Sequence, residues 1–248
     1  MRLLIKLQSL DSYYYDREYY TKIQGLIFNL LRNSEYSLLH DKGGYKFFCF
    51  SNIFPFSEFI NEGDERTLII SSPDRYLIEV IKNKLIEKEF ISIGRCEFKI
   101  TNINKLDIKL QHNCRLIAST PIIVRIPEWN YEKYNIPKEY RKPRYVYWRP
   151  EYSFEAFVKQ LEENLIKKYK EFFKKEIYID RIFEIFRFIK GPIAVPVDIK
   201  GKKQVFVGSL WEFSFSVLSK AQMEILKFGI DCGFGERNSL GFGFINVI

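Results

Sequence analysis

The sequence is poor in residues that build covalent or metal frameworks. Its 248 residues hold four cysteines, Cys49, Cys96, Cys114 and Cys232, widely scattered and never paired as C-x-x-C, and two histidines, His40 and His112. That spacing argues against a zinc site and leaves buried, reduced thiols as the reading. No stretch approaches the roughly 18 uninterrupted apolar residues of a membrane helix. The opening Met1-Arg-Leu-Leu-Ile-Lys-Leu-Gln puts Lys6 where a signal peptide needs an unbroken apolar run, so a soluble, cytoplasmic protein is expected. What is present is 46% hydrophobic and 17% aromatic residues, enough for a sizeable core, which excludes a disordered linker. Thirty-nine Lys+Arg against 31 Asp+Glu leave a formal charge of +8, a weak and salt-sensitive attraction to polyanions.

Hydrophobic periodicity predicts a strand over Arg2–Leu10 and a helix carried by Ile23, Leu26, Ile27, Leu30 and Leu31, ending near Asn33. Short strands are expected over Lys46–Phe50 and Thr67–Ile70. A helix capped by Ser72, with Pro73 in its first turn, should carry Leu77, Ile81 and Leu85, and one strand should run from Phe90 to Asn102. The order β-α-β-β-α-β is the ferredoxin-like arrangement. The second half repeats it. A strand over Leu116–Ile126 is interrupted by Pro121. A long helix after Ser153 carries Phe157, Leu161, Leu165, Tyr169 and Phe172. Strands flank a basic turn, Trp211, Phe213, Phe215 and Val217 alternate as a strand, Ser219 caps a short helix, and Gly241–Val247 closes the chain. The expected fold is therefore α+β, two tandem ferredoxin-like (βαββαβ) domains, residues 1–115 and 116–248.

The sharpest local feature is Gly233-Phe-Gly-Glu-Arg-Asn-Ser-Leu-Gly-Phe-Gly243. Gly233, Gly235, Gly241 and Gly243 permit positive φ and close approach of backbone to a phosphate, and their N–H groups can form an anion-binding nest. Arg237, Asn238 and Ser239 add donors. A plain glycine-rich turn between a helix and a final strand is an equal reading, and neither a Walker loop nor a dinucleotide fingerprint fits.

This run resembles the C-terminal glycine-rich motif of the RAMP superfamily of CRISPR-associated RNA-binding proteins, and especially the members that cut the repeats of the precursor transcript. Gln24-Gly25-Leu26-Ile27-Phe28-Asn29 and His40-Asp-Lys-Gly-Gly-Tyr-Lys46-Phe47 agree with it. The resemblance implies side-by-side ferredoxin-like domains and a metal-independent endoribonuclease without cofactor. Its partners would be CRISPR repeat RNA and the interference complex that receives the product, with no membrane association and either a monomer or a homodimer. It makes His40 the general acid or base and Lys46 the cation that stabilises the transition state. The family's helix-borne tyrosine is Phe28 here, and a phenyl ring moves no proton; Tyr36 is a substitute candidate. The chemistry suits these residue types. A ribose 2′-OH must lose a proton to attack the adjacent phosphate, the 5′-oxygen must gain one, and the crowded phosphorane needs a cation. A lone histidine is more often structural, but His40 falls in a polar, glycine-bearing loop rather than on an apolar face. His112 reads as structural.

For the RNA surface, Arg141, Lys142 and Arg144 interleave with Tyr140, Tyr145, Tyr147 and Trp148, and Lys200, Lys202 and Lys203 mark a hairpin tip. A solvated basic connection explains the first group equally well. Lys167, Lys168, Lys170, Lys174 and Lys175, offset by Glu162, Glu163, Glu171 and Glu176, read as a solvated helix face. The alternatives to the nuclease are a catalytically silent repeat-RNA-binding RAMP protein or a structural subunit of an effector complex, which Phe28 favours. A ferredoxin-like protein with an unrelated ligand would make both specific stretches coincidences.

Overall fold

The computed structural model describes residues 1–15, 18–199 and 201–248. Alternation along β1 (Arg2–Ser9) sets the architecture of the first half. Leu3, Ile5 and Leu7 are fully buried under two helices, while Arg2 and Leu4 face the other way. After β2 (Tyr13–Tyr14), α1 (Tyr19–Leu31) covers the sheet with Ile23, Ile27, Leu30 and Leu31. β3 (Cys49–Phe50), β4 (Phe59–Ile60) and β5 (Glu65–Ser71) follow. Then come α2 (Arg75–Ile86), β6 (Phe90–Ile93) and β7 (Cys96–Leu106). The antiparallel sheet runs β3-β5-β1-β7-β6, and β2 pairs with β4 apart from it. Without the edge strand β6, this is the ferredoxin-like order.

The second half uses β8 (Arg115–Ala118), β9 (Arg125–Pro127), β10 (Tyr145–Tyr147), α3 (Phe154–Phe173), β11 (Ile185–Ile199), β12 (Lys202–Ser214), α4 (Lys220–Cys232) and β13 (Ile245–Val247). Its sheet, β11-β12-β8-β13, has the same order as the first, and β9–β10 forms a separate two-stranded insertion before α3. Both helices begin as expected. Ser153 accepts from Glu155 N, and Ser219 with Gln222 forms a reciprocal capping box. Trp211 stacks on Phe157 at 4.0 Å in the centre of this core.

Several expected elements change. Phe90–Asn102 is not one strand but the β6–β7 hairpin, turned at Gly94 (φ 65°) and Arg95. Burial moves from Ile91 and Ile93 to Cys96 and Phe98, and that change of parity is the mark of the turn. Ser72 does not cap α2. Asp74 does, its Oδ1 accepting from Tyr76 N and Leu77 N, where a carboxylate also meets the positive helix end. Ser72 Oγ instead donates to Phe47 O at 2.6 Å. Leu116–Ile126 divides between two sheets, because Thr120 and Pro121 interrupt the ladder and proline has no N–H to give. The Lys46–Phe50 strand shrinks to β3, since Phe47 turns to φ 51° and packs its ring on Phe172 at 5.1 Å. Gly241–Val247 likewise shrinks to β13, because Gly241 and Gly243 have positive φ.

The two halves pack through the sheet face that Arg2 and Leu4 occupy. Leu4, Cys49 and Ile69 meet Phe244. The buried Arg2 guanidinium donates to Asn246 Oδ1 at 3.0 Å and to Ile245 O, and lies over the Phe244 ring. Tyr20 of α1 stacks on Phe242 at 4.5 Å. Among the described residues no helix is long and apolar enough to cross a membrane.

Candidate active site and nucleic-acid interface

The segment after α1 makes a single 3-10 turn, Ser37–Leu39, that delivers His40 to the surface. The imidazole is held on two sides. Its Nδ1 lies 2.8 Å from Asp41 Oδ1, and its ring meets the Phe28 ring edge-on at 4.9 Å. With the side chain 52% exposed and Nδ1 engaged, Nε2 is the nitrogen left for an incoming group. Lys46 closes the loop behind it. Its ammonium donates to the carbonyls of His40 (2.8 Å), Lys42 (2.9 Å) and Leu39, and lies 5.5 Å from the centre of the Phe28 ring. Partial burial pushes the Lys46 pKa down, with Lys42 adding to the shift and Asp41 opposing it. One residue, Phe28, is thus the floor under both candidate groups.

Tyr36 is directed elsewhere. Its hydroxyl donates to Asp74 Oδ2 at 2.6 Å, tying the loop to the start of α2. Burial first, and then that carboxylate, raise its pKa.

The glycine-rich loop is a different kind of object. Gly233, Gly241 and Gly243 donate their N–H groups to the carbonyls of Gly229, Asn238 and Pro121, so these three do not make the expected anion nest. The glycines serve close packing: a Cβ on Gly243 would stand 1.9 Å from Phe234 O, and one on Gly241 2.5 Å from the Phe50 ring. Asn238 Nδ2 donates inward to Phe234 O and Phe242 O. Beneath lies Lys168, 1% exposed, its Nζ donating to Gly233 O (2.6 Å), Gly235 O (3.0 Å) and Asn238 Oδ1 (3.0 Å). Burial lowers its pKa. Reading the lysines of α3 as one solvated face fails at this residue. Arg237 stands outward at φ 57°, its guanidinium over the Phe206 ring, and Ser239 O accepts from Gln24 Nε2 of α1 at 2.7 Å. Gln24 and Phe28 are one helical turn apart, so α1 touches both loops.

Residues 103–247 match the profile of the family described as CRISPR associated protein Cas6, C-terminal. The whole chain aligns with CRISPR-associated endoribonuclease Cas6 2 of Methanocaldococcus jannaschii at 31% identity, covering 100% of both chains. This chain belongs to the Cas6 family. CRISPR-associated endoribonuclease Cas6 of Haloferax mediterranei is similar at 30% identity, over 100% of this chain and 94% of that one. A solved structure described as a RAMP protein binding different RNA substrates has the same fold, with a TM-score of 0.73 at 23% identity over 100% and 99% of the two chains.

The remaining candidates of this Cas6 chain are dispersed. Arg141 is committed locally, donating to Ile136 O at 2.8 Å and pairing with Glu132, whereas Lys142 and Arg144 are exposed beside β10. Lys202 and Lys203 project from the β11–β12 hairpin, and Lys200 lies outside the described residues. His112 accepts from Leu218 N at 3.1 Å, a structural bond. Residues to which the sequence reading gives no role include Asp41, Tyr45 and Arg125, and it places Lys168 on a solvated face although the side chain is buried. Arg125 pairs with Glu236 and lies over the Tyr145 ring at 4.5 Å, beside the glycine-rich loop. Burial, with the charges of Glu236 and Glu171, pushes the Tyr45 phenol up to about 12. Lys168 had a legible signal: it falls on the apolar stripe Leu161, Leu165, Phe172 at spacings of four, three and four.

Proposed function

We propose that this chain is a cytoplasmic endoribonuclease that binds CRISPR repeat RNA and cuts the precursor transcript once per repeat. Its two ferredoxin-like units would be residues 1–115, bearing the cutting loop, and 116–248, bearing the glycine-rich loop. Membership of a family whose similar members are named endoribonucleases supports the activity. The observation that carries the chemistry is the His40 imidazole, exposed, fixed through Nδ1 by Asp41 and backed by Phe28.

His40 Nε2 exchanges the proton. As the 2′-oxygen gives up its proton and attacks the neighbouring phosphorus, the bond to the 5′-oxygen breaks and that oxygen takes up a proton, leaving a 2′,3′-cyclic phosphate on one product, which water opens to a 3′-phosphate, and a 5′-hydroxyl on the other. Lys46 supplies positive charge beside the phosphorane, and doing so requires it to release one of its three carbonyls. Tyr36 would have to give up Asp74 to serve as a third proton carrier, so the proton transfer is assigned to His40. Arg237 and Ser239, with Lys142, Arg144, Lys202 and Lys203, are the side chains that would hold RNA. The silent RNA-binding alternative is favoured by Phe28 and by the full engagement of Lys46.

The test is incubation with the repeat RNA of its own array in EDTA, beside His40→Ala, with product ends mapped. A single cut ending in a cyclic phosphate, slowed about 10³-fold in the variant, is expected. Tight binding without a cut in either protein selects the silent binder.

A further inference from the structure

Two adjoining grooves, of ≈ 590 Å³ and ≈ 450 Å³, share Glu171 and Lys174. The first is bordered by Lys42, Lys46 and Phe47 of the cutting loop, and a Cβ placed on Gly44 of that loop would stand 4.0 Å from Glu171 Oε1. The second runs along the end of α3 and is lined by Lys167, Lys170, Glu171, Lys174, Lys175 and Glu176. Residues 167, 170 and 174 recur at three and four positions, so they share one helix face, with about 10 Å of rise from first to last.

The acids of these grooves are largely committed. Asp74 caps α2 and accepts from Tyr36, Glu176 pairs with Lys170, and Glu224 from α4 draws Lys175 at 3.5 Å. Glu35 accepts from the Tyr76 hydroxyl, which leaves Glu171. Among the described residues, Lys42, Lys167 and Lys174 have no carboxylate within ion-pair distance, and all three are exposed. Lys174 caps the helix in the left-handed conformation, where the carbonyl end of α3 also favours a cation.

We infer that the exposed end of α3 is a phosphate track, Lys167 and Lys174 gripping the RNA backbone next to the scissile bond. This rests on the reading of the chain as a repeat-cutting ribonuclease and assigns it a contact surface beyond the two loops. The occupant is a single RNA strand whose phosphodiester backbone leads into the groove beside Lys42. Lysine ammoniums on flexible stems suit that role, since they neutralise phosphates without reading bases.

The experiment compares His40→Ala, which leaves the RNA uncut, with His40→Ala carrying Lys167→Gln and Lys174→Gln. Affinity for the repeat RNA is measured by fluorescence anisotropy across a salt series, and cleavage is followed in parallel with His40 intact. Two lost phosphate contacts should make the slope of log K against log[salt] shallower by about 1.4 and weaken binding about tenfold at 0.15 M salt. Lys167→Arg with Lys174→Arg should keep both values. An unchanged affinity and slope overturns the inference and leaves the lysines to an acidic protein surface. Weakened binding with an unchanged slope, not rescued by arginine, overturns it as a packing effect. If the protein with His40 intact neither binds nor cuts the repeat, the ribonuclease reading itself falls and takes the track with it.

Discussion

Two lysines in this molecule perform the same local task in opposite surroundings. Lys46 and Lys168 each point an ammonium into a bend of backbone and donate to three oxygens. Lys46 does so at the surface, in the loop that carries His40. Lys168 does so beneath the glycine-rich loop, at 1% exposure. At the surface water can replace any of the three carbonyls at small cost, so the bonds of Lys46 organise the loop without locking it. In the interior no water competes, and removing the cation strands three acceptors. The lesson is a division of labour: the second half of the chain supplies a rigid abutment, and the first half supplies a loop whose cation is held by bonds that water can exchange.

The comparison makes measurable claims, the largest at Lys168. Lys168→Met should destabilise the protein by about 3 kcal/mol, seen as a lower Tm, because the carbonyls of Gly233 and Gly235 lose their donor in a buried site. Burial lowers the Lys168 pKa, so the unfolded chain binds the proton more firmly, and the contribution of this group to stability rises with pH toward 10.5. The Met variant should lack that rise, measured as the wild-type-minus-variant difference in unfolding free energy across alkaline pH. Lys46→Met should invert the pattern, slowing single-turnover cleavage about 10²-fold while shifting stability by under about 1 kcal/mol. Equal melting losses for the two variants would break the contrast. The smallest effect is expected at the shared floor: Phe28→Tyr places a hydroxyl beside His40 and Lys46 and should speed cleavage, by about tenfold at most. A slower Phe28→Tyr enzyme would show that the bare ring is what holds the imidazole.

Much of the scaffold was legible because it obeys local rules. β1 alternates, α3 and α4 begin on serines that cap, and the repeated β-α-β-β-α-β order survives in both sheets. The elements that shifted did so where long-range contacts override local pattern. Phe47 leaves its strand for Phe172, and Asp74 takes the cap while Ser72 Oγ donates to Phe47 O and accepts from Asp74 N. The position of His40 in a polar loop was readable; its bond to Asp41 and its seat on Phe28 were not, since both depend on how the 3-10 turn aims the ring. The glycines were readable as sites of close approach. That their neighbours would be protein carbonyls and rings, and not phosphates, depends on the packing of Pro121, Phe50 and Lys168 around them.

Helix α1 holds Ser239 of one loop through Gln24 and underlies His40 of the other through Phe28, four residues along. That helical turn spans about 6 Å of stiff polymer. The two loops therefore hang from one rigid rod: α1 is the common anchor of Ser239 and His40, so a shift of the helix moves both loops together while either loop can bend without the other.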